Sequence, residues 1–557
     1  MKNIIHVFII TEKIGESSFF VECAPCGKRG MIYNPLIPGN EPEKERTKAM
    51  TSNMICILIA IVIYLIGMLF IGVKYASNKN AEDFFLGGRK LGPIVTAMST
   101  EASDMSAYLL MGVPGLALFC GVAEASWTAI GLSIGTWLNW LIVARRLRQY
   151  SAKIKAITVP DFLATRFRDN TKLIEILGAL TIIVFFVPYT ASGFAACGKL
   201  FNSLFGFDYM PAMIISAAVI VAYCALGGFM AASVTSLIQS IVMTFALIVV
   251  LFFGANAAGG WGAVMENART VPGYLSLFAS TDILSSSAGS YTMIMIVSTM
   301  AWGLGYFGMP HILIHFMAVK SEEKLTVCRR VGSIWCVVSL GVAVLIGIIG
   351  FGMIKAGALA MPGSEPEAEN MIVNVARLIS NHGLFAAIIA GIILAGILAA
   401  TMSTADAQLL AAASGVTHNL LHDVFGIELS DRKNMLIARL TVIGVAILGV
   451  IFASDPSSSI FRVVSFAWAG FGATFGPVML FALFWKRCNK QGAIAGMFVG
   501  MIMIFVWKYL VRPLGGIFNI YELLPAFVVS AVVIVVVSLC TAAPEKEIID
   551  EFESVGA

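Results

Sequence analysis

The chain has 557 residues, of which 58% are hydrophobic and only 13% charged, and its mean hydropathy is +0.87. Such a composition excludes an ordinary water-soluble protein and leaves no length for a sizeable soluble domain. The formal net charge of +4 is small, so the placement of charge says more than its sum, because Lys and Arg in short loops orient membrane helices.

Residues 1–53 are mixed and polar, unlike everything after them. Their apolar run at 4–10 is too short for a signal-peptide core, and no small-residue cleavage site follows. Cys23 and Cys26 form the one CxxC pair, which supplies two of the four ligands a structural zinc needs. The remaining cysteines are scattered, several inside apolar stretches (Cys56, Cys197, Cys224, Cys336, Cys540), with no disulfide framework. Met50 or Met54 opens directly onto the first membrane helix, so 1–53 reads as a non-homologous extension from an over-extended start.

From there the pattern is an all-α polytopic membrane protein. A leading helix at 54–73 and its loop fill 54–90. A first five-helix repeat occupies 91–256, with spans at 91–118, 125–143, 173–200, 212–230 and 234–253. A second occupies 290–486, with spans at 293–316, 331–355, 384–410, 435–452 and 460–485. Two closing helices fill 487–543, and an acidic tail fills 544–557. Many of these stretches approach the roughly 20 residues that cross a bilayer as a helix. The expectation is about 13 transmembrane helices. Five is odd, so the second repeat is inverted relative to the first, and the first helix of each is broken. The residues of the two halves are not visibly repeated; the argument rests on position.

Basic segments at 74–90, 145–172, 320–330, 432–439 and 486–490 fall on one side. The intervening loops carry little more than Lys199, Arg269, Lys355, Arg377, Arg462, Lys508 and Arg512. That alternation predicts a multi-pass plasma-membrane protein with its N-terminus outside and its C-terminus in the cytoplasm. Two longer loops, 257–288 and 361–381, fall outside as gates or spacers. The cytoplasmic segment 415–432 holds His418 and His422 one turn apart beside Asp423. Without a third ligand this reads as a solvated helix face.

Two stretches interrupt membrane helices: Ser99-Thr100-Glu101-Ala102-Ser103-Asp104-Met105-Ser106, closing on Gly112 to Gly115, and Ser298 to Tyr306, closing on Gly308-Met309-Pro310. Broken backbone is tolerated at membrane depth only where protein or a watery cavity satisfies it, and paired breaks point to a transporter's binding site. Intramembrane acids mark function because each costs at least ~2.5 kcal/mol to insert; here they are Glu101, Asp104 and Asp406. Asp104 is a functional acid, a cap for a half-helix, or both. Carbonyls of Ala102 and Met105 at the break, with Ala400, Ser403 and Thr404, would make a five-oxygen cage for a small hard cation. Ala400 and Thr404 lie one turn apart on the same helix face. Taken alone, Ser403 and Thr404 would more often be helix–helix hydrogen bonders; their pairing with a broken acidic helix favours the cation site.

The runs Gly87-Gly88-Arg89, Ala102-Ser103-Asp104-Met105-Ser106, Trp302-Gly303-Leu304-Gly305-Tyr306-Phe307-Gly308, Pro310-His311 and Ala467-Trp468-Ala469-Gly470-Phe471-Gly472-Ala473 resemble the sodium:solute symporter family over roughly 54–539. The resemblance is greatest to its proline-importing bacterial members. It implies a thirteen-helix, five-plus-five inverted fold and sodium-driven import of a small amino acid, L-proline, by alternating access in a lipid bilayer. It also implies Na+ as the coupling ion, no cofactor and no nucleic-acid partner. By position, Ala102, Met105, Ala400, Ser403 and Thr404 match the family's sodium site, and Asp104 matches its essential acid. Ser106, Tyr189, Trp302, Tyr306 and Pro310 match the solute-binding positions, and Arg89 matches a cytoplasmic position of the transport cycle.

Three departures stand out. Ala107-Tyr108 replaces the Gly-Trp usual after Ser106, which bears on selectivity, since a pocket methylene shifts discrimination by about 1–3 kcal/mol. Ser236 stands where an acid commonly follows the threonine. Glu101 replaces a glycine, as a protonatable coupling group or as a buried neutral acid. The rival readings are proton- or sodium-coupled uptake of another zwitterion or carboxylate, and a transporter-like solute sensor, against which the short tail after Leu539 argues. The sequence shows no phosphate loop, no nucleophile with a positioned base and no metal-ligand set, so no enzyme is expected.

Overall fold

The computed structural model describes residues 51–75, 81–427 and 430–555. The CxxC pair and nearly all of the 1–53 extension lie outside them. The leading helix α1 (Ser52–Tyr75) presents Ile59, Ile63 and Phe70 outward, an apolar surface suited to lipid. Next come α2 (Pro93–Asp104) and α3 (Val113–Cys120), joined through a π-wound turn Tyr108–Gly112. Proline opens α2, where a missing amide costs nothing. Then follow α4 (Val122–Leu138), extended through Asn139–Val143 and Ala144–Lys153, the short α5 (Val159–Arg166), α6 (Leu173–Phe205) and α7 (Tyr209–Ala257). At 1.5 Å per residue, 49 residues would run about 70 Å, more than twice the hydrocarbon thickness. The chain resolves this at Gly228, whose φ of 69° only glycine adopts freely, dividing α7 into Tyr209–Ala225 and Gly227–Ala257.

The second half begins with α8 (Met293–Met300), a 3₁₀ stretch Ala301–Gly308, and α9 (Pro310–Ala318). It continues with α10 (Leu325–Lys355), α11 (Met371–Ser380), α12 (Leu384–Ser414), α13 (Asp431–Phe452) and α14 (Ile460–Phe484). Helices α15 (Lys490–Val506) and α16 (Leu523–Cys540) close the membrane part. Among the described residues ten helices are long and apolar enough to cross a bilayer, or twelve when each bent pair, α2/α3 and α8/α9, is one span. The count of thirteen is therefore not reached by length alone; the remaining apolar helix, Tyr209–Ala225, is shorter than a full span.

The two expected outer loops carry structure of their own. Residues 257–288 hold the helix Trp261–Arg269 and part of a two-stranded antiparallel hairpin, Ala279–Asp282 with Ser287–Ser290. Residues 361–381 hold Glu365–Ala368 and α11. Lys199 and Arg462, expected in loops, sit inside α6 and α14.

Small residues set the deepest packing. Gly131 and Gly135 of α4 lie against the backbone of Met300 and Gly303, so the 3₁₀ stretch is held by a close backbone approach of the small-xxx-small kind. The central α12 packs against α7, α1 and α6, and is buried over most of its length.

Candidate functional site

The break between α2 and α3 arises where Asp104 ends the helix. Met105 leaves helical geometry (φ −75°, ψ 72°), and the two halves bend by 61°. The second interruption differs from the first: Ala301–Gly308 tightens to 3₁₀ instead of unwinding, and the 47° bend falls at Met309, just before Pro310 opens α9. Freed backbone at these breaks is enclosed by protein, as hydrocarbon requires.

Ser403 on α12 donates to the carbonyl of Ala102 at 2.7 Å and to that of Ala400 at 3.1 Å. Three of the five expected cation ligands thus meet across the interface of α2 and α12. Thr404 is buried in the following position with its hydroxyl unpartnered among the described residues, an acceptor without a donor. Met105 is at the break itself, fully buried, with its sulfur accepting from Tyr108 Oη at 3.2 Å.

Asp104 points to the other broken helix. One carboxylate oxygen accepts from Tyr306 Oη, and the other has no hydrogen-bond partner among the described residues. The Asp104 carbonyl accepts from Tyr189 Oη of α6 at 3.3 Å and from the amide of Ser106 at 2.8 Å. Asp104, Ser106, Tyr189 and Tyr306 are therefore one contiguous buried group. Trp302 lies beside it, its ring 6.3 Å from Tyr108, 5.2 Å from Phe461 and 5.5 Å from Tyr521, centroid to centroid. The Trp302 carbonyl accepts from Trp468 Nε1 at 2.7 Å. The motif around Trp468 thus fixes the backbone that carries Trp302 and Tyr306. Asn139 adds a donor to the Tyr306 carbonyl at 3.0 Å.

Three sequence candidates lie apart from this group. Glu101, three residues before Asp104, faces α4: Oε1 accepts from Thr136 Oγ1 at 3.0 Å and Trp140 Nε1 at 2.9 Å, while Oε2 is buried with no hydrogen-bond partner among the described residues. Arg89 belongs to the face of the basic loops. It donates to the carbonyls of Met317 (2.8 Å), Ala156 (2.7 Å) and Ser151 (3.1 Å), with Glu82 at 3.6 Å, so it ties the end of α9 to the segment before α5. Burial lowers the pKa of this guanidinium, with neighbouring Arg148 adding to the effect. Asp406, the third acid, contacts Cys224 of α7.

One buried charge pair is not announced by the sequence. Lys199 of α6 donates to Glu369 Oε2 at 2.9 Å, and Glu369 also accepts from Ser459 Oγ and the amides of Ile460 and Phe461 at the N-terminus of α14. Arg462 bridges Glu124 and Glu365 beside it. The available signal was Lys199 within an apolar periodic stretch, which a loop assignment concealed.

A family model described as the sodium:solute symporter family matches residues 84–500. Among curated proteins, the chain is 41% identical to a sodium/proline symporter of Haemophilus influenzae over 505 residues, covering 89% of this chain and 97% of that protein. It is 38% identical to the sodium/proline symporter of Escherichia coli (90% and 96%) and 40% to the high-affinity proline transporter PutP of Bacillus subtilis (87% and 98%). Among solved structures, a substrate-bound, outward-open Na+-coupled sialic acid symporter matches with a TM-score of 0.71 at 16% identity, over 88% of this chain and 99% of that one. MhsT in complex with L-phenylalanine matches with a TM-score of 0.52 at 12% identity, over 81% and 98%. The shared fold is the transporter architecture of two inverted repeats.

Proposed function

This chain belongs to the sodium:solute symporter family, and we propose that it imports L-proline by sodium-coupled secondary active transport. It is a multi-pass membrane protein, and its basic loops support a plasma-membrane orientation with the N-terminus outside and the C-terminus in the cytoplasm. The observation that carries the reading is the 2.7 Å link from Ser403 to the Ala102 carbonyl, because it joins the broken helix to α12 through two oxygens suited to an alkali ion.

Sodium binds to the carbonyls of Ala102, Met105 and Ala400 and the hydroxyls of Ser403 and Thr404. On binding, the Ser403 hydroxyl turns its proton away and presents a lone pair. The ion thereby replaces one hydrogen bond with several ion–oxygen contacts between α2 and α12, and holds the break closed. Through the same break it sets the backbone of Asp104 and Ser106, which faces the solute. Asp104, hydrogen-bonded to Tyr306, couples the two broken helices. Proline's carboxylate is received by Ser106 and the positive ends of the half-helices. Its ring is received by Trp302, Tyr306, Tyr189 and Pro310. Arg89, holding three carbonyls at the inner face, closes the inner opening until the break rearranges. One charge crossing 100 mV supplies about 2.3 kcal/mol, a tens-fold accumulation before the sodium gradient adds its share.

The test is uptake of labelled proline into proteoliposomes with and without sodium, competed by amino acids and small carboxylates. Ser403→Ala with Thr404→Ala is expected to abolish sodium stimulation, and unchanged sodium dependence in that variant rejects the site. Proton coupling through Glu101 is the second reading, favoured by its Oε2, buried with no hydrogen-bond partner among the described residues; uptake driven by a pH gradient without sodium selects it.

A further inference from the structure

Two histidines one turn apart lack ligands in the sequence, and the tertiary structure supplies them. Residues Gly415–Val424 continue α12 with π winding, a rare geometry that recurs at functional sites. Within it the rings of His418 and His422 stack, with centroids 5.5 Å apart and planes 11° from parallel. Asp423 places Oδ1 2.7 Å from His422 Nδ1 and Oδ2 3.7 Å from His418 Nε2. The fourth group comes from a distant part of the chain: Asp161 on α5 brings Oδ2 to 3.6 Å from His418 Nε2.

We propose that His418, His422, Asp423 and Asp161 form a binding site for a divalent transition-metal ion of the Zn2+ type. Imidazole nitrogens mixed with carboxylates suit Zn2+, Co2+ and Ni2+. Bonds of about 2.0–2.1 Å in a tetrahedral shell put ligand atoms about 3.3 Å apart. The separations of 3.6 and 3.7 Å around His418 exceed this by only a few tenths of an ångström; the ligand atoms of His418, His422 and Asp423 all lie within 4.8 Å of one another, and Asp161 joins them from the His418 side. His422 is the exposed member, at 53% for its side chain against 14–17% for the other three. It is free to rotate off Asp423 onto an ion, and it marks the side of entry.

The carboxylates are already aimed by outer partners, which metal sites commonly require. Asp161 Oδ2 accepts from the amide of Ile157 at 2.7 Å, and Oδ1 from Thr165 Oγ1 at 3.1 Å. Asn419 donates to Asp423 Oδ2 at 3.5 Å and is itself held by Thr158 Oγ1 at 3.1 Å. The local charge also favours a cation. Glu175 lies within the field of both Asp423 and Asp161. Of the nearby cations, Lys172 is paired with Glu175 at 3.6 Å, and Arg89 is committed to backbone carbonyls. A bound ion joins α5 to the segment that prolongs α12, the helix that bears Ser403 and Thr404.

The experiment uses the full chain, tag-free in lipid nanodiscs, with Cys23→Ser and Cys26→Ser so that the CxxC pair contributes nothing. Co2+ is titrated at neutral pH and followed by visible absorption, and Zn2+ is then used to displace it. The expected result is one ion per chain with ligand-field bands of a four- or five-coordinate N/O site. His418→Gln, His422→Gln and Asp161→Asn should each weaken binding by at least about tenfold. An unchanged thermal midpoint certifies each fold, and the exposed His422 provides a variant that leaves the packing alone. Absence of stoichiometric binding, or affinity unchanged in both histidine variants, overturns the assignment.

Discussion

Replacing Lys199 by Met tests whether the buried pair with Glu369 secures the packing of α6 on α14. The side chains are 5% and 1% exposed, so their attraction is little screened. Removing one partner from a buried pair leaves an uncompensated charge, at a cost of about 3–5 kcal/mol. Glu369 keeps three further donors, Ser459 Oγ and the amides of Ile460 and Phe461, and the positive end of the α14 dipole favours its charge. The lower end, about 3 kcal/mol, is therefore expected, equivalent to roughly a hundredfold change in an equilibrium constant. With Cys23, Cys26, Cys56 and the exposed Cys540 replaced by Ser, the protein carries its own reporter, since Cys197 and Cys336 are buried and free and react with a thiol-specific fluorogenic dye only as the chain opens. Lys199→Met should lower the thermal midpoint measured this way, and Lys199→Met with Glu369→Gln should recover part of the loss because the orphaned charge is gone. A midpoint equal to that of the parent chain, or a double variant weaker than the sum of the singles, refutes the argument.

A methyl group at Gly131 would fall 2.7 Å from the Met300 Cα, so Gly131→Ala should destabilise by about 1–3 kcal/mol or more, whereas Gly67→Ala, with open space around it, should be near neutral in the same thermal assay. Trp140→Phe removes a 2.9 Å donor to the buried Glu101 carboxyl. It should cost about 1.5–3 kcal/mol if that group is charged and appreciably less in a Glu101→Gly background, read as a double-mutant cycle. Ala107→Gly with Tyr108→Trp, next to Trp302 and Met105, should change the ratio of proline to competitor uptake by about tenfold or more, measured as relative kcat/KM. Ser403→Ala alone should raise the sodium concentration needed for half-maximal uptake, because one of five oxygens is lost while the helix contact of α2 and α12 persists.

The membrane class, the order of spans and the two breaks were legible because each is a local property. Apolar runs, helix-breaking Gly and Pro, and acids within apolar stretches are visible without knowing any partner. The resemblance carried the site residues, and the structure brings Ala102, Ala400 and Ser403 together and gathers Asp104, Ser106, Tyr189 and Tyr306 into one group. Lys199 counts among the loop charges by sequence although it falls at the end of the 173–200 span; only the approach of Glu369, 170 residues later, makes its burial affordable. Likewise Glu101, next to Ala102 and near Asp104 in sequence, is a candidate coupling group on that ground alone. Helical rotation turns it toward Thr136 and Trp140, away from Asp104's partner Tyr306.

The character of each segment was thus fixed by composition and period alone, since insertion into lipid depends on apolar content and on satisfying the backbone within each helix. Which side chains meet was decided by packing across hundreds of residues. Hydrogen bonds, ion pairs and prospective metal ligands act over about 3–4 Å, and that distance is set by the positions of whole helices, which no local pattern specifies.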